Sequence, residues 1–352
     1  MRIFGIFFLF VVMLALVSGL VTTAQAEIWR QNDLGSQQHP LSASDLGVIV
    51  NDADPLSVRI GQYYESRRHI PVGNIIHVRF TISSSTMSRA EFQKLKIEVD
   101  RVTSGHIQAY ALAWTQPYRV ECMSITTAFA MGFDKAFCSK PCGPTKPSPY
   151  FNSNSRRPYD DYGIRPAMML AGRDFKEVKK LIDRGVKSDH TFPRGTGYLV
   201  STSDKDRNVR AVYYPEIIER YMNSPYDIRL VKADFIQHRK NVLFYFTGVS
   251  RVTALDSNHF VPGAIADHLT STGGALLSDE QMSSLRWLEA GATGSYGSVV
   301  EACNFIDKFP SPREVIAHYL KGETLIEAYW KSVAWPGEGI FIGEPLAAPF
   351  AP

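Results

Sequence analysis

The stretch LGVIVNDADPLSVRIGQYYESRRHIPVGNIIHVRF, residues 46–80, decides the fold class. Leu46 to Val50 is a short apolar run rich in β-branched residues, as a buried strand requires. Asn51-Asp52-Ala53-Asp54-Pro55 is a turn that opens a helix: Asp54 suits the N-cap, and Pro55, which has no amide hydrogen to satisfy, suits the first helical position. Leu56, Ile60, Tyr63 and Tyr64 then recur at helical spacing. Ile70-Pro71 ends the helix, and Ile75 to Phe80 supplies a second strand. Strand, helix and strand in this order form a βαβ unit, which implies parallel pairing with a helix laid over the sheet.

The alternation continues outward from this unit. Strands are expected at Ile107 to Trp114, Ala167 to Ala171, Tyr198 to Thr202, Ile228 to Val231, Val242 to Phe246 and Ala292 to Tyr296. Three helices carry start and stop signals: Asp174 with Glu177 through to Gly185, Ser278 with Gln281 through to Gly291, and Ser311-Pro312 with Glu314 through to Gly322. Residues 137–166 break the rhythm with six prolines and no apolar period, which reads as an insertion or exposed loop. The expected architecture is α/β, a mostly parallel sheet with helices on both faces. Residues 27–352 are expected to form one region or two halves, 27–136 and 167–352, separated by the proline-rich loop at 137–166.

The N-terminus indicates export. Arg2 precedes an apolar run from Ile3 to Leu20, and Ala24-Gln25-Ala26 fits the small-x-small cleavage pattern, so residues 1–26 read as a signal peptide. The rival reading is an uncleaved anchor, since the run is nearly long enough to span a bilayer. No later run is longer than a strand, so no membrane insertion is expected after cleavage. The mature chain keeps 37 of the 38 basic residues against 35 acidic ones, a near-neutral balance that gives no electrostatic case for nucleic acid or an anionic membrane. A secreted or periplasmic location makes disulfides the natural use of Cys122, Cys138, Cys142 and Cys303. Three pairings are open, and Cys138–Cys142, close in sequence, is the simplest; zinc at this lone C-x3-C is the alternative.

In parallel α/β sheets ligands bind beyond the C-terminal ends of the strands, so the residues that follow each strand are the candidates. Asp52 follows the first strand, beside Asp54, whose capping role needs no ligand. Arg119 follows the Trp114 strand and could hold a carboxylate bidentately, with Glu301 as a partner within the protein. Asp204 and Asp206 imitate the opening of a calcium loop, but Val209 and Pro215 stand where that loop needs its glycine and its final Glu. Thr247 follows the Val242 strand, and Gly294 lies in a glycine-rich turn that misses both nucleotide-binding patterns. These residues are expected to converge along one edge of the sheet. No His-Glu-x-x-His or Gly-x-Ser-x-Gly pattern occurs. Ser271 with His259 or His268 offers a hydroxyl and a base, which is sufficient in kind for acyl transfer. No metal or cofactor is expected.

Four motifs carry a resemblance: Pro262-Gly263-Ala264-Ile265-Ala266-Asp267-His268-Leu269-Thr270-Ser271, residues Ala290 to Gly297, Lys308-Phe309-Pro310, and Gly343-Glu344-Pro345-Leu346. With Leu46 to Val78, the chain resembles a family of exported bacterial proteins without assigned activity. More distantly, the layout is similar to the gingipain-type, caspase-like cysteine peptidases, which implies a three-layer architecture. In that family one strand ends in His-Gly and the next in the nucleophilic Cys. Thr247-Gly248 and Thr270-Ser271-Thr272-Gly273 stand in those places here, so thiol chemistry has no visible means. Two readings follow: a binding or structural protein on a degenerate peptidase-like fold, taking a small-molecule, peptide or glycan ligand, or a hydrolase that uses Ser271. Mass spectrometry of the mature protein should find Glu27 at the N-terminus; an intact Met1 would contradict export.

Overall fold

The computed structural model describes residues 39–139 and 142–352; the leader assigned to residues 1–26 lies outside them. The opening unit forms as its sequence implies. β1 (Leu46–Asn51) is buried throughout. Asp54 caps α1 (Pro55–Arg68) by accepting the Leu56 amide at 2.9 Å, and β2 (Ile75–Val78) returns parallel to β1 with Ile75 beside Val48. The chain then runs through β3 (Thr86–Met87), α2 (Arg89–Val102), β4 (Ala109–Leu112), β5 (Arg119–Val120), β6 (Met123–Ser124), α3 (Ile125–Met131), α4 (Pro158–Tyr162), β7 (Ala167–Met169) and α5 (Phe175–Ser188). A second series follows: β8 (Thr196–Ser201), α6 (Tyr214–Tyr221), β9 (Asp227–Lys232), β10 (Val242–Gly248), β11 (Phe260–Leu269), α7 (Leu285–Ala290), β12 (Gly294–Ser298), α8 (Pro312–Leu320), α9 (Leu325–Trp330) and β13 (Gly339–Gly343).

Ten strands make one sheet in the order β2-β1-β4-β7-β13-β12-β11-β10-β8-β9, and β3, β5 and β6 make a small second one. Within the large sheet every pairing is parallel except β12 with β13. That exception divides it into two blocks of opposite polarity. Ser298, the last residue of β12, lies opposite Gly339, the first of β13. The C-terminal strand ends of the second block therefore share an edge with the N-terminal strand ends of the first. The expectation that all strands point one way, and bring every candidate to one edge, fails at this junction.

Helices cover both faces. Leu46, Val48 and Val50 of β1 and Phe244 and Phe246 of β10 pack with α1, α5, α6, α8 and α9. The alternate residues, such as Ile49, pack with α2, α3 and α7, as a period of two requires. The proline-rich segment does not separate halves, because β7, which follows it, pairs with β4, which precedes it. Nor is it an exposed loop throughout: Tyr150 is fully buried, and the Asn152 amide donates to the Lys331 carbonyl at 2.8 Å. The helix expected from Ser278 begins only at Leu285.

β13 is bounded by two buried glutamates. At its start Glu338 receives Lys308 Nζ at 2.8 Å and the Ser139 hydroxyl at 2.6 Å. At its end Glu344 receives the Tyr64 hydroxyl at 2.6 Å and Arg68 Nε at 2.9 Å. Burial works against the charge on Arg68, but Glu344 and Asp189 hold its pKa above the ordinary value. Removing one member of such a pair strands the other charge without water. Lys308→Met or Glu338→Gln should each lower unfolding free energy by about 3–5 kcal/mol in urea titrations. The double variant Lys308→Met/Glu338→Leu should lose clearly less than the sum of the two.

Candidate functional site

The C-terminal edge of the second block gathers the ends of β8, β10, β11 and β12. Two of these ends are closed by backbone. A Cβ on Gly248 would lie 1.9 Å from the Arg207 carbonyl oxygen, so the turn after β8 passes directly over the end of β10. A Cβ on Gly297 would lie 2.4 Å from the Gly273 carbonyl carbon, and the Gly274 amide donates to the Ser298 carbonyl at 2.7 Å. The loop after β11 therefore lies across β12. Side chains lock both covers in place: Arg207 Nε donates to Thr270 Oγ1 at 3.1 Å, and Gln281 Oε1 accepts from the Thr270 hydroxyl at 2.7 Å and the Thr272 amide at 3.1 Å.

Beneath them sits a fully buried ion pair, Arg210 with Asp267 at 2.7 Å. Burial pushes the Asp267 carboxyl up, and Arg210 pulls it back. Arg210 also donates to the carbonyls of Thr247 at 2.8 Å and Pro310 at 3.0 Å. Thr247 itself is fully buried, out of a ligand's reach.

Neither candidate base is hydrogen-bonded to Ser271. His268 is buried with both ring nitrogens engaged: Nδ1 accepts from the Trp287 indole at 2.9 Å, and Nε2 donates to the Met282 carbonyl at 3.0 Å. Burial pushes its pKa down to about 3, so it is a neutral structural residue. His259 precedes β11 and Ser271 follows it, at opposite ends of a strand that, with its bulge, runs beside Val242–Gly248; at about 3.3 Å per residue those six steps place them roughly 20 Å apart.

All four cysteines are bridged, as Cys122–Cys138 and Cys142–Cys303, and none is free. This corrects the Cys138–Cys142 pairing. The fold brings the β5–β6 hairpin to one of these neighbours and the segment after β12 to the other, and sequence proximity could not show that.

The remaining candidates divide between the two edges. Asp204 lies at the second block's edge, where it serves its own turn by accepting the Arg207 amide and guanidinium, both at 3.1 Å. Asp206 is exposed in the same turn. Glu301 accepts the Cys303 amide at 2.6 Å. Asp52 ends β1 on the opposite edge, where it pairs with His77 at 2.8 Å. Gly294 begins β12 rather than ending it, so it too lies away from the site. Arg119 joins the small sheet and donates to Thr86 Oγ1 at 2.6 Å, not to Glu301.

Two clefts lie at strand ends. One of about 280 Å³ follows β2, with Arg79, Thr86, Lys94 and Glu98 in its lining beside Phe80 and Leu95. A second, of about 240 Å³, belongs to the second block, with Phe151, Tyr213, Ile306, Asp307, Phe309 and Arg313 in its lining. Of this second lining only Phe309 falls in one of the four resemblance motifs, Lys308-Phe309-Pro310, and that motif carries a resemblance and not a site. Phe151 and Tyr213 carry no signal, each being the exposed member of an aromatic pair, Tyr150-Phe151 and Tyr213-Tyr214, outside any periodic segment.

No family model and no curated protein matches the chain. Among solved structures it is similar to the Arg-specific cysteine proteinase gingipain R, with 9% identity and a TM-score of 0.44 over 87% of this chain and 78% of that one. It is also similar to a structure described as a protease, with 9% identity and a TM-score of 0.46 over 88% of this chain and 79% of that one.

The neutral His268 has a consequence for acid stability. Its folded-state pKa is depressed, so between pH 6.5 and about 3 the unfolded chain binds the extra proton, and stability falls as pH is lowered through that window. Compared with His268→Phe, the wild type should therefore lose an additional few kcal/mol, on the order of 3–5, between those pH values in urea titrations.

Proposed function

We propose that this chain is an exported ligand-binding protein on a peptidase-like α/β framework, without hydrolytic chemistry at its strand ends. One observation carries the reading: the groups that could act there are all committed elsewhere. The thiols are in disulfides, and the imidazole nearest the end of β11 is held neutral by two hydrogen bonds. Acyl transfer needs a nucleophile within about 3 Å of a base with a free nitrogen, and Ser271 has no such partner among the described residues. The bridges also fit an oxidising compartment. Closing a loop of 161 residues, Cys142–Cys303 contributes about 5 kcal/mol in the chain-entropy picture.

A binding role uses what the same edges retain, which is clefts lined from several segments. The test is a hydrolysis screen over ester and peptide substrates, run on the wild type and Ser271→Ala. The two proteins should be indistinguishable from the uncatalysed rate. Turnover by the wild type that Ser271→Ala abolishes would overturn the proposal.

A further inference from the structure

The cleft at the second block's edge has a chemistry of its own. Its lining comes from four places far apart in sequence: Phe151 from the proline-rich segment, Tyr213 from the turn after β8, Ile306, Asp307 and Phe309 from the segment after β12, and Ser332 and Ala334 from the segment after α9. Cys142–Cys303 ties the first of these segments to the third. Phe151 and Tyr213 are 38% and 40% exposed, so both rings are open to a ligand.

The ionisable groups favour one sign of ligand. Arg313, the cation in the lining, is already held by Glu314 at 2.6 Å and Glu216 at 3.2 Å. The Asp307 carboxylate has no hydrogen-bond or ion-pair partner among the described residues, although its carbonyl accepts the Trp335 amide at 2.8 Å. One cation thus stands against three carboxylates, so an anionic ligand would be repelled. The nearby Lys308 and Arg210 do not alter this balance, because each is buried in its own pair.

Exposed rings beside an unpaired carboxylate suit a diffuse positive charge. Aromatic faces attract cations through their quadrupole, most usefully those that carry methyl groups rather than tightly held water. Ile306, Phe309 and Ala334 add apolar wall for such methyls.

We propose that this cleft binds a quaternary or methylated ammonium group, with Phe151 and Tyr213 as the aromatic surfaces and Asp307 as the counter-ion. The proposal rests on the binding reading and names its ligand class.

The test titrates the full mature protein with choline and with 3,3-dimethyl-1-butanol, its neutral isostere, followed by calorimetry and NMR. Choline should bind saturably and shift Phe151 and Tyr213 ring signals, with the isostere at least about tenfold weaker. Asp307→Asn and Tyr213→Leu, both at the surface and checked for folding by circular dichroism, should each weaken choline about tenfold. Equal binding of the isostere, unchanged affinity in Asp307→Asn, or no saturable response to choline would each overturn the proposal. None of these results is turnover, so the ligand class can fail while the binding reading stands. If a glycan or a peptide without methylated ammonium shifts the same ring signals while choline does not, the cleft binds, but not a cation.

Discussion

The molecule depends on what holds β13 at the junction of two strand blocks that run in opposite directions within one sheet. A parallel block can grow by repeating strand and helix, but two such blocks of opposite polarity can share a sheet only through an antiparallel pair. β13 makes that pair with β12 and joins β7 on its other side. The strand is short, and its ends enter the core as carboxylates. Lys308 and Ser139 meet Glu338 at one end, and Arg68 and Tyr64 meet Glu344 at the other. Buried charges are tolerable only when paired and hydrogen-bonded, so these contacts fix the register in which the blocks meet. They also recruit distant elements, since Arg68 belongs to α1 and Ser139 to the segment that carries the cysteines.

Much of the framework was legible in residues 46–80 and in the alternation after them. Asp54 capping α1 is visible in the sequence because a cap is a local interaction. What escaped was non-local. β11 was not among the strands read from composition, although the peptidase-like resemblance placed a strand end at Thr270; in the structure Pro262-Gly263 form a bulge between the pairings of Phe260 and Ile265, with Gly263 at a positive φ. β13 was missed as well, and with it the reversal of polarity, because pairing direction is set by which strands meet rather than by any one strand's composition. Once β12 reverses against β13, Asp52 and Asp204 must lie at opposite edges. Ser271 and His259 failed as a pair for a similar reason: short separation in sequence becomes long separation in space when the residues between them form an extended strand.

The site was legible only as a location. The rule that ligands bind past strand ends pointed to one edge shared by all the strands, which the reversal at β13 divides between two; the cleft proposed above lies at the second block's edge. The residues lining it come from irregular segments, where no period singles out one side chain. The strand ends, by contrast, are occupied by the protein's own backbone at Gly248 and Gly297. Glycine is required at both because a neighbouring chain passes within van der Waals contact. A surface built to admit a substrate at these points would need those crossings moved, and they are tied down by Arg207, Thr270 and Gln281. The proline-rich segment, which in sequence looked like an interruption, supplies one wall of the cleft instead.

The position of β13 also bears on how the chain reaches this structure. Its partner β7 lies about 170 residues earlier, and contacts of such long range are slow to form, because loop-closure entropy must be met before they stabilise anything. The first block can gather β1, β2, β4 and β7 early, but until β13 arrives β7 presents an open edge toward the place the second block will occupy. Unpaired edges of this kind invite association between chains. A polypeptide with its central strand delivered late stays unassembled through most of its synthesis and is open to aggregation for all of that time.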